Sequence, residues 1–443
     1  MFVRLDKLSG AAFSVLLSCG GHQPPPVNQP SLAEPSSGPV ARTADATTGV
    51  VVSDSVALAH AIANPTGPTR IQLEPHVYRG DFSVKRPLEL AGTKGAVLEG
   101  TGNGTVLTLE GTGIRVSDIL VRHSGRRTTL DDAAIRASGE GVRIERVATE
   151  DTLFGISLEG CKRCVVENAH VTGGTSDGAP LGDAIKLWES DDSVVRGSVV
   201  ENSRDIVVWY SRRALLEDNY VTKSRYGAHF MYAHDGIVRR MRVIDNVVGI
   251  FVMYSSRVHA EDNVLAGARG AAGVGIGFKD SDDVTLVNNW LVSNTVGTYF
   301  DSTPRSPTAK VTFERNVVAL NGVGVQLHSS ERGVRFYDND FHENAATIEV
   351  EGGGDARQVE FRGNYFSSYE GYDLDGDGFG DVPYQEKRLS SALTEGHPLV
   401  KLFRGTLALG SMDAAAKAVP VLQAKTLFAD ASPRVQPGRL VVR

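Results

Sequence analysis

His229 and Met231 stand two residues apart in the run GAHFMY, and Met253 holds the place of Met231 one repeat later, in GIFVMY. On a strand, residues two apart share a face, and the same place on a neighbouring parallel strand lies about 4.8 Å away. Two thioethers and an imidazole make a soft, uncharged ligand set that suits Cu(I). His234 follows just past the next turn as an additional ligand where an ion would arrive. Trp209, on the other side of Met231, offers a ring face to cover the ion. The same Met231, Met253 and Trp209 also suit an alternative role as adaptable contacts for a partner protein, and the two roles are compatible.

Three other constellations carry chemistry. The run Asp373-Leu374-Asp375-Gly376-Asp377-Gly378-Phe379-Gly380-Asp381 places carboxylates at positions 1, 3, 5 and 9 of a calcium loop. Glycine stands at position 6 and the Phe379 carbonyl is available at position 7. Position 12 is Tyr384 rather than glutamate, with Glu386 two residues on, so the expectation is a structural calcium ion that pins this loop. Cys161-Lys162-Arg163-Cys164 is a CxxC that reads as a disulfide, a copper or zinc site, or neither; Cys164 shares an apolar column with Val284, which favours a buried, inert role. Asp183 and Asp205 open successive repeats, as the paired carboxylates of a polysaccharide lyase, epimerase or hydrolase would. Against that alternative, the same column turns to glycine in the next repeats, and no basic cluster for a polyuronate lines the strip.

The elements that must position these residues are repeats. DAIKLW, DIVVWY, GAHFMY, GIFVMY, GIGFKD, GTYFDS and GVQLHS begin at Asp183, Asp205, Gly227, Gly249, Gly275, Gly297 and Gly324, at steps of 22, 26 or 27 residues. A period of about two dozen residues with alternation inside each unit predicts an all-β solenoid of short parallel strands. Alternation turns the second and fourth positions of each repeat inward and the third and fifth outward. The outward strip then holds Val207, Phe251, Leu187 and Trp209 beside His229, Met231 and Met253, an apolar patch of the kind that marks a partner surface. An inverted parity, or a segment folded over the strip, is the alternative. Two asparagine columns support the register: Asn219, Asn263, Asn289, Asn316, Asn339 and Asn364 at one turn, and Asn202, Asn246, Asn294, Asn321 and Asn344 at another.

The rest of the 443 residues sets the frame. Arg4 and Lys7 precede an apolar run ending in Leu16-Leu17-Ser18-Cys19, so residues 1–19 read as a lipoprotein-type signal with Cys19 as the lipidated residue, which predicts export and a membrane anchor. Residues 20–46 read as a disordered tether rich in Pro, Ser and Gly. Residues 47–384 form the predicted β-helix, opened by a short capping helix over Ser53–Asn64, and 385–443 a helical and extended tail that caps the solenoid or docks on a partner. A net charge of −7 gives no basic face for nucleic acid.

The runs GDAIKLWESDDSVVRG, SRYGAHFMYAHD, VGIFVMYS and GVGIGFKDSDDV, with the ending NYFSSYEGYDLDGDGFGDVPY, resemble the NosD family of exported, copper-associated maturation factors over roughly residues 50–435. The resemblance implies a right-handed, pectin-lyase-like parallel β-helix without enzymatic activity. It also implies a periplasmic location, partnership with an ABC transporter (NosF and NosY), and a part in assembling the copper–sulfide centre of nitrous oxide reductase. It assigns no copper ligands, and the lipidation signal departs from the family's usual soluble periplasmic form.

Overall fold

Each coil is three short strands whose middle residues alternate in and out, joined by corners at which one residue takes the left-handed conformation. Arg213, Asp235, Arg257 and Asp283 do so at one corner, with φ between 53° and 59°. Repeating that corner brings each strand back over its predecessor, where every backbone group finds a partner in the neighbouring coil. The computed structural model describes residues 49–174, 181–351, 354–387, 398–403, 406–408, 411–412, 415 and 426–439. Within them the strands stack as three parallel sheets of 14, 13 and 12 strands, an all-β parallel β-helix. Cys19, the lipoprotein-type signal, the predicted tether and much of the predicted helical tail lie outside the described residues.

The 12-stranded sheet carries the repeats. Ala228, Ile250, Ile276, Thr298 and Val325 form one inward column and Phe230, Val252, Phe278, Phe300 and Leu327 another, all at most 1 % exposed. Phenylalanines continue the core towards the C-terminal end, Phe313 lying 4.8 Å from Phe336 and Phe336 5.0 Å from Phe361.

The repeat at Asp183 departs from the expected register. Ile185 pairs with Ile206 and Leu187 with Val208, a step of 21 residues, so Ile185 and Leu187 point into the core and Lys186 points out. Leu187, expected in the partner surface, is therefore a core residue with no exposed area. Desolvation explains the outcome: the shifted register buries two aliphatic side chains and spares the interior an ammonium group.

Met241 interrupts the first asparagine column after Asn219, and from Asn263 onward the column is a continuous ladder. The side-chain oxygens of Asn263, Asn289, Asn316, Asn339 and Asn364 each accept from the backbone N–H of the residue one coil earlier, at 2.8–3.0 Å. In the second column Ser203 and Ser224 precede Asn246, while Asn202 sits one place earlier, exposed and at φ +48°. Both ends are closed. The N-terminal helix Ser55–Ala63 is capped by Asp54, whose carboxylate accepts from the Ala57 N–H, and it buries Leu58 and Ile62. At the other end Tyr384–Lys387 and Thr426–Asp430 pair antiparallel, and the Asp430 carboxylate takes the next place in the asparagine ladder by accepting from both the backbone and side-chain N–H of Asn364. Residues 426–439 thus cap the solenoid. Cys161 and Cys164 are both fully buried and joined in a disulfide, which fits the structural role.

Candidate metal centre

Two of the outer faces differ sharply in chemistry. On the 14-stranded sheet the outward side chains form ladders of opposite charge, such as Arg143–Glu167–Arg196 and Glu217–Arg239. On the 12-stranded sheet, Trp188, Trp209, Met231 and Met253 are register neighbours in one outward column, and Val207, His229 and Phe251 in the next. Parity is therefore as expected from Asp205 onward. Ion pairs bound the strip: Lys186 meets Asp131 on one side, and Lys279 meets Asp301 on the other. Val207 is only 3 % exposed, whereas Phe251 is partly exposed and lies over Gly277, where an added Cβ would come within 2.3 Å of its ring.

His229 is held on three sides. Its ring stacks on Tyr226 at 4.8 Å, its Nδ1 lies 3.6 Å from Asp205 Oδ2, and its Nε2 lies 3.2 Å from Met253 Sδ. Asp205 is 1 % exposed and is gripped by Arg225 through Nε at 3.2 Å and Nη2 at 2.6 Å. With the proton on Nδ1, the imidazole would face this carboxylate and turn its Nε2 lone pair towards the thioether, the arrangement by which a carboxylate orients a metal-binding imidazole. An imidazole nitrogen at about 2.0 Å and a sulfur at about 2.3 Å from one ion are at most about 4.3 Å apart. The 3.2 Å separation therefore fits a shared ion, with the Met231 side chain on the same face one strand away.

His234 is not brought into this group. Its Nδ1 meets Ser256 Oγ at 2.8 Å beyond the Tyr232 corner, where burial and the guanidinium groups of Arg212 and Arg257 hold its pKa below the ordinary imidazole value. Trp209 does flank the methionines. Its ring lies 4.5 Å from Trp188 and 5.8 Å from Tyr210, and from there Tyr210, Tyr232 and Tyr254 stack at 5.1 and 4.9 Å. These tyrosines occupy the left-handed corner of successive coils, with φ of 49–50°. Trp188, the three tyrosines, Tyr226 and the supporting role of Asp205 are not singled out by the sequence pattern. The only signal was the repeated aromatic residue closing DIVVWY, GAHFMY and GIFVMY.

Asp183 and Asp205 are not column partners, because the observed register sets Asp205 opposite Ala184. Asp183 is buried, and its pKa is pushed up to about 6, first by burial and then by the Asp205 charge. In the predicted calcium loop, oxygens of Asp373, Asp375 and Asp377 lie within 4.8 Å of one another. Asp373 accepts from the N–H groups of Gly376 and Gly378 at 2.7 and 2.9 Å, which holds its pKa below the usual carboxylate range. Asp381 instead accepts from Leu374 N–H at 2.7 Å, and Phe379 forms a backbone bridge to Arg434.

A family model described as periplasmic copper-binding protein (NosD) matches residues 167–371, a span that includes His229, Met231 and Met253. A probable ABC transporter binding protein NosD of Pseudomonas aeruginosa is 29% identical, covering 81% of this chain and 86% of the relative. Over residues 167–371 the chain is thus similar to the NosD family. A second NosD protein, from Stutzerimonas stutzeri, is 25% identical over 81% of this chain and 85% of its own length. Similar solved structures include the A-module of the mannuronan C-5 epimerase AlgE6 of Azotobacter vinelandii, with TM-score 0.47 and 14% identity over 71% of this chain and 94% of that one. Another is the catalytic domain of a GH87 alpha-1,3-glucanase, with TM-score 0.48 and 13% identity over 74% and 69%. No described helix is long and apolar enough to cross a membrane.

Proposed function

We propose that this chain is a NosD-family, non-enzymatic, extracytoplasmic copper-handling factor that holds Cu(I) between His229 and Met253, with Met231 as a third ligand, and presents it on an open sheet face. The observation that carries this reading is the 3.2 Å approach of His229 Nε2 to Met253 Sδ, with Asp205 behind Nδ1. The ligand set is soft and neutral, so it favours a monovalent ion over hard cations. It stands on a strand surface rather than in an enclosed cage, which leaves one side open for transfer. The aromatic ladder from Trp188 to Tyr254 gives a receiving protein rigid contact area beside the ion.

The receiving protein in this reading is nitrous oxide reductase, whose copper–sulfide centre the chain helps mature together with a NosF and NosY transporter. The family's description as periplasmic and copper-binding, and the relatives' names as ABC transporter binding proteins, support the copper and transporter parts. Cys19 supplies a lipid anchor, and the loop of Asp373, Asp375 and Asp377 holds calcium that ties the last coil to the cap. The test is competition for Cu(I) against a chromophoric chelator by the purified protein. A His229→Ala, Met231→Leu, Met253→Leu triple variant is expected to lose binding; unchanged affinity overturns the ligand assignment.

A further inference from the structure

A second feature adjoins His229. At the corner leading into the 12-stranded sheet, three successive coils turn tightly, through residues 202–205, 223–225 and 245–247, whereas the coils on either side carry longer connections. The result is a bay of about 580 Å³ with Leu181 and Arg269 at its ends and Arg204, Lys223, Arg225 and Asp245 between them. Four cations and one carboxylate therefore share one open space.

The partners of these cations are uneven. Arg225 spends Nε and Nη2 on Asp205, and Arg204 Nε lies 3.5 Å from Asp183. Among the described residues, Lys223 and Arg269 have no ion-pair partner. Unneutralised cations converging on a concavity repel one another and raise the local concentration of anions, and guanidinium groups bind planar or tetrahedral oxyanions through paired N–H groups. The volume lies within the range of small-ligand pockets and is ample for an ion of a few heavy atoms.

We propose that this bay binds a compact dianion, of the class of phosphate, sulfate or a short dicarboxylate, with Lys223 and Arg269 as its principal contacts and Arg204 and Arg225 completing the ring. The assignment stands apart from the copper reading, although Arg225 is common to the bay and to the Asp205 support of His229.

Calorimetric titration of the metal-free protein with inorganic phosphate, sulfate and malonate, at fixed ionic strength, tests it. Saturable one-to-one binding is expected, weakened at least tenfold in a Lys223→Ala, Arg269→Ala double variant whose thermal unfolding is unchanged. A preference for phosphate or sulfate assigns a tetrahedral oxyanion, and a preference for malonate a dicarboxylate. Binding is expected to persist in the copper-ligand triple variant, which separates this test from the copper test. If none of the three probes saturates, or the double variant binds as the wild type does, the proposal is overturned.

Discussion

His229 Nε2 and Met253 Sδ, 24 residues apart in sequence, meet at 3.2 Å across neighbouring coils. Met231 shares their face but has no such approach to the imidazole. Met253→Leu, which keeps volume and removes the sulfur, is therefore expected to weaken Cu(I) binding more than Met231→Leu does. Chelator competition on the two single variants measures this, and an equal or reversed order counts against the pairing.

Asp205 acts on the imidazole from behind. Asp205→Asn keeps the shape but removes the charge facing Nδ1, and loss of a partner that orients a ligand costs about 10–100-fold in metal affinity. The same change leaves Arg225 without its carboxylate, so a purely structural role predicts lost stability with little change in affinity. Measuring Cu(I) affinity alongside thermal unfolding separates the two, because the orienting role lowers affinity and a purely structural role lowers the unfolding temperature alone.

The coil architecture was legible because its determinants are local: alternation sets which side chain turns inward, and the corner residue repeats with the period. What stayed hidden depends on neighbours far along the chain. The Asp183 repeat was misplaced because an aspartate identity outweighed the burial of Ile185 and Leu187, and corner length varies freely without cost to the stacked strands. The carboxylate behind His229 comes from the preceding coil, and Asp430 extends the ladder past its last asparagine, Asn364, 66 residues earlier. No spacing rule within one strand reveals either. The tyrosine stack was present in the repeats, but alternation says nothing of where a corner residue points.

The asparagine ladder should be unequal to single deletions. Asn316 accepts from the backbone and side-chain N–H of Asn289 and donates to the Leu286 carbonyl, all in the core. Truncation to alanine orphans those groups at about 1–3 kcal/mol each, so Asn316→Ala is expected to cost about 3 kcal/mol or more. Asn202→Ala, at an exposed corner, should cost about 1 kcal/mol, and Asn202→Gly less. Thermal unfolding, with hydrogen exchange at the Asn289 amide, checks the order.

Calcium in the Asp373 loop would cross-link the last coil to the cap, since Phe379 bridges Arg434 and Arg434 reaches the Asp340 carboxylate at 2.6 Å. An ion bound only by the folded loop contributes about 2.7 kcal/mol at a hundredfold excess over its dissociation constant. Chelation is expected to lower the unfolding temperature of the wild type and to leave an Asp373→Ala, Asp375→Ala variant unmoved. An equal response from both proteins removes the assignment.

Asp183 gives the fold a pH dependence of definite sign. Burial, reinforced by the Asp205 charge, raises its carboxyl from 3.8 to about 6, while Arg204, Lys186 and Arg225 pull the other way. Below pH 3.8 the group is protonated in both states and costs nothing. As pH rises from there, the unfolded chain releases the proton and the folded chain keeps it, so stability falls until about pH 6 and is level above. The shift of about 2 units corresponds to a loss on the order of 3 kcal/mol. Asp183→Asn removes the titration, so the variant's unfolding temperature should match the wild type near pH 3.5, pull ahead between pH 4 and 6, and hold a constant lead at pH 7 to 8. A lead that is independent of pH, or that shrinks as pH rises, would mean that Asp183 ionises freely in the folded protein.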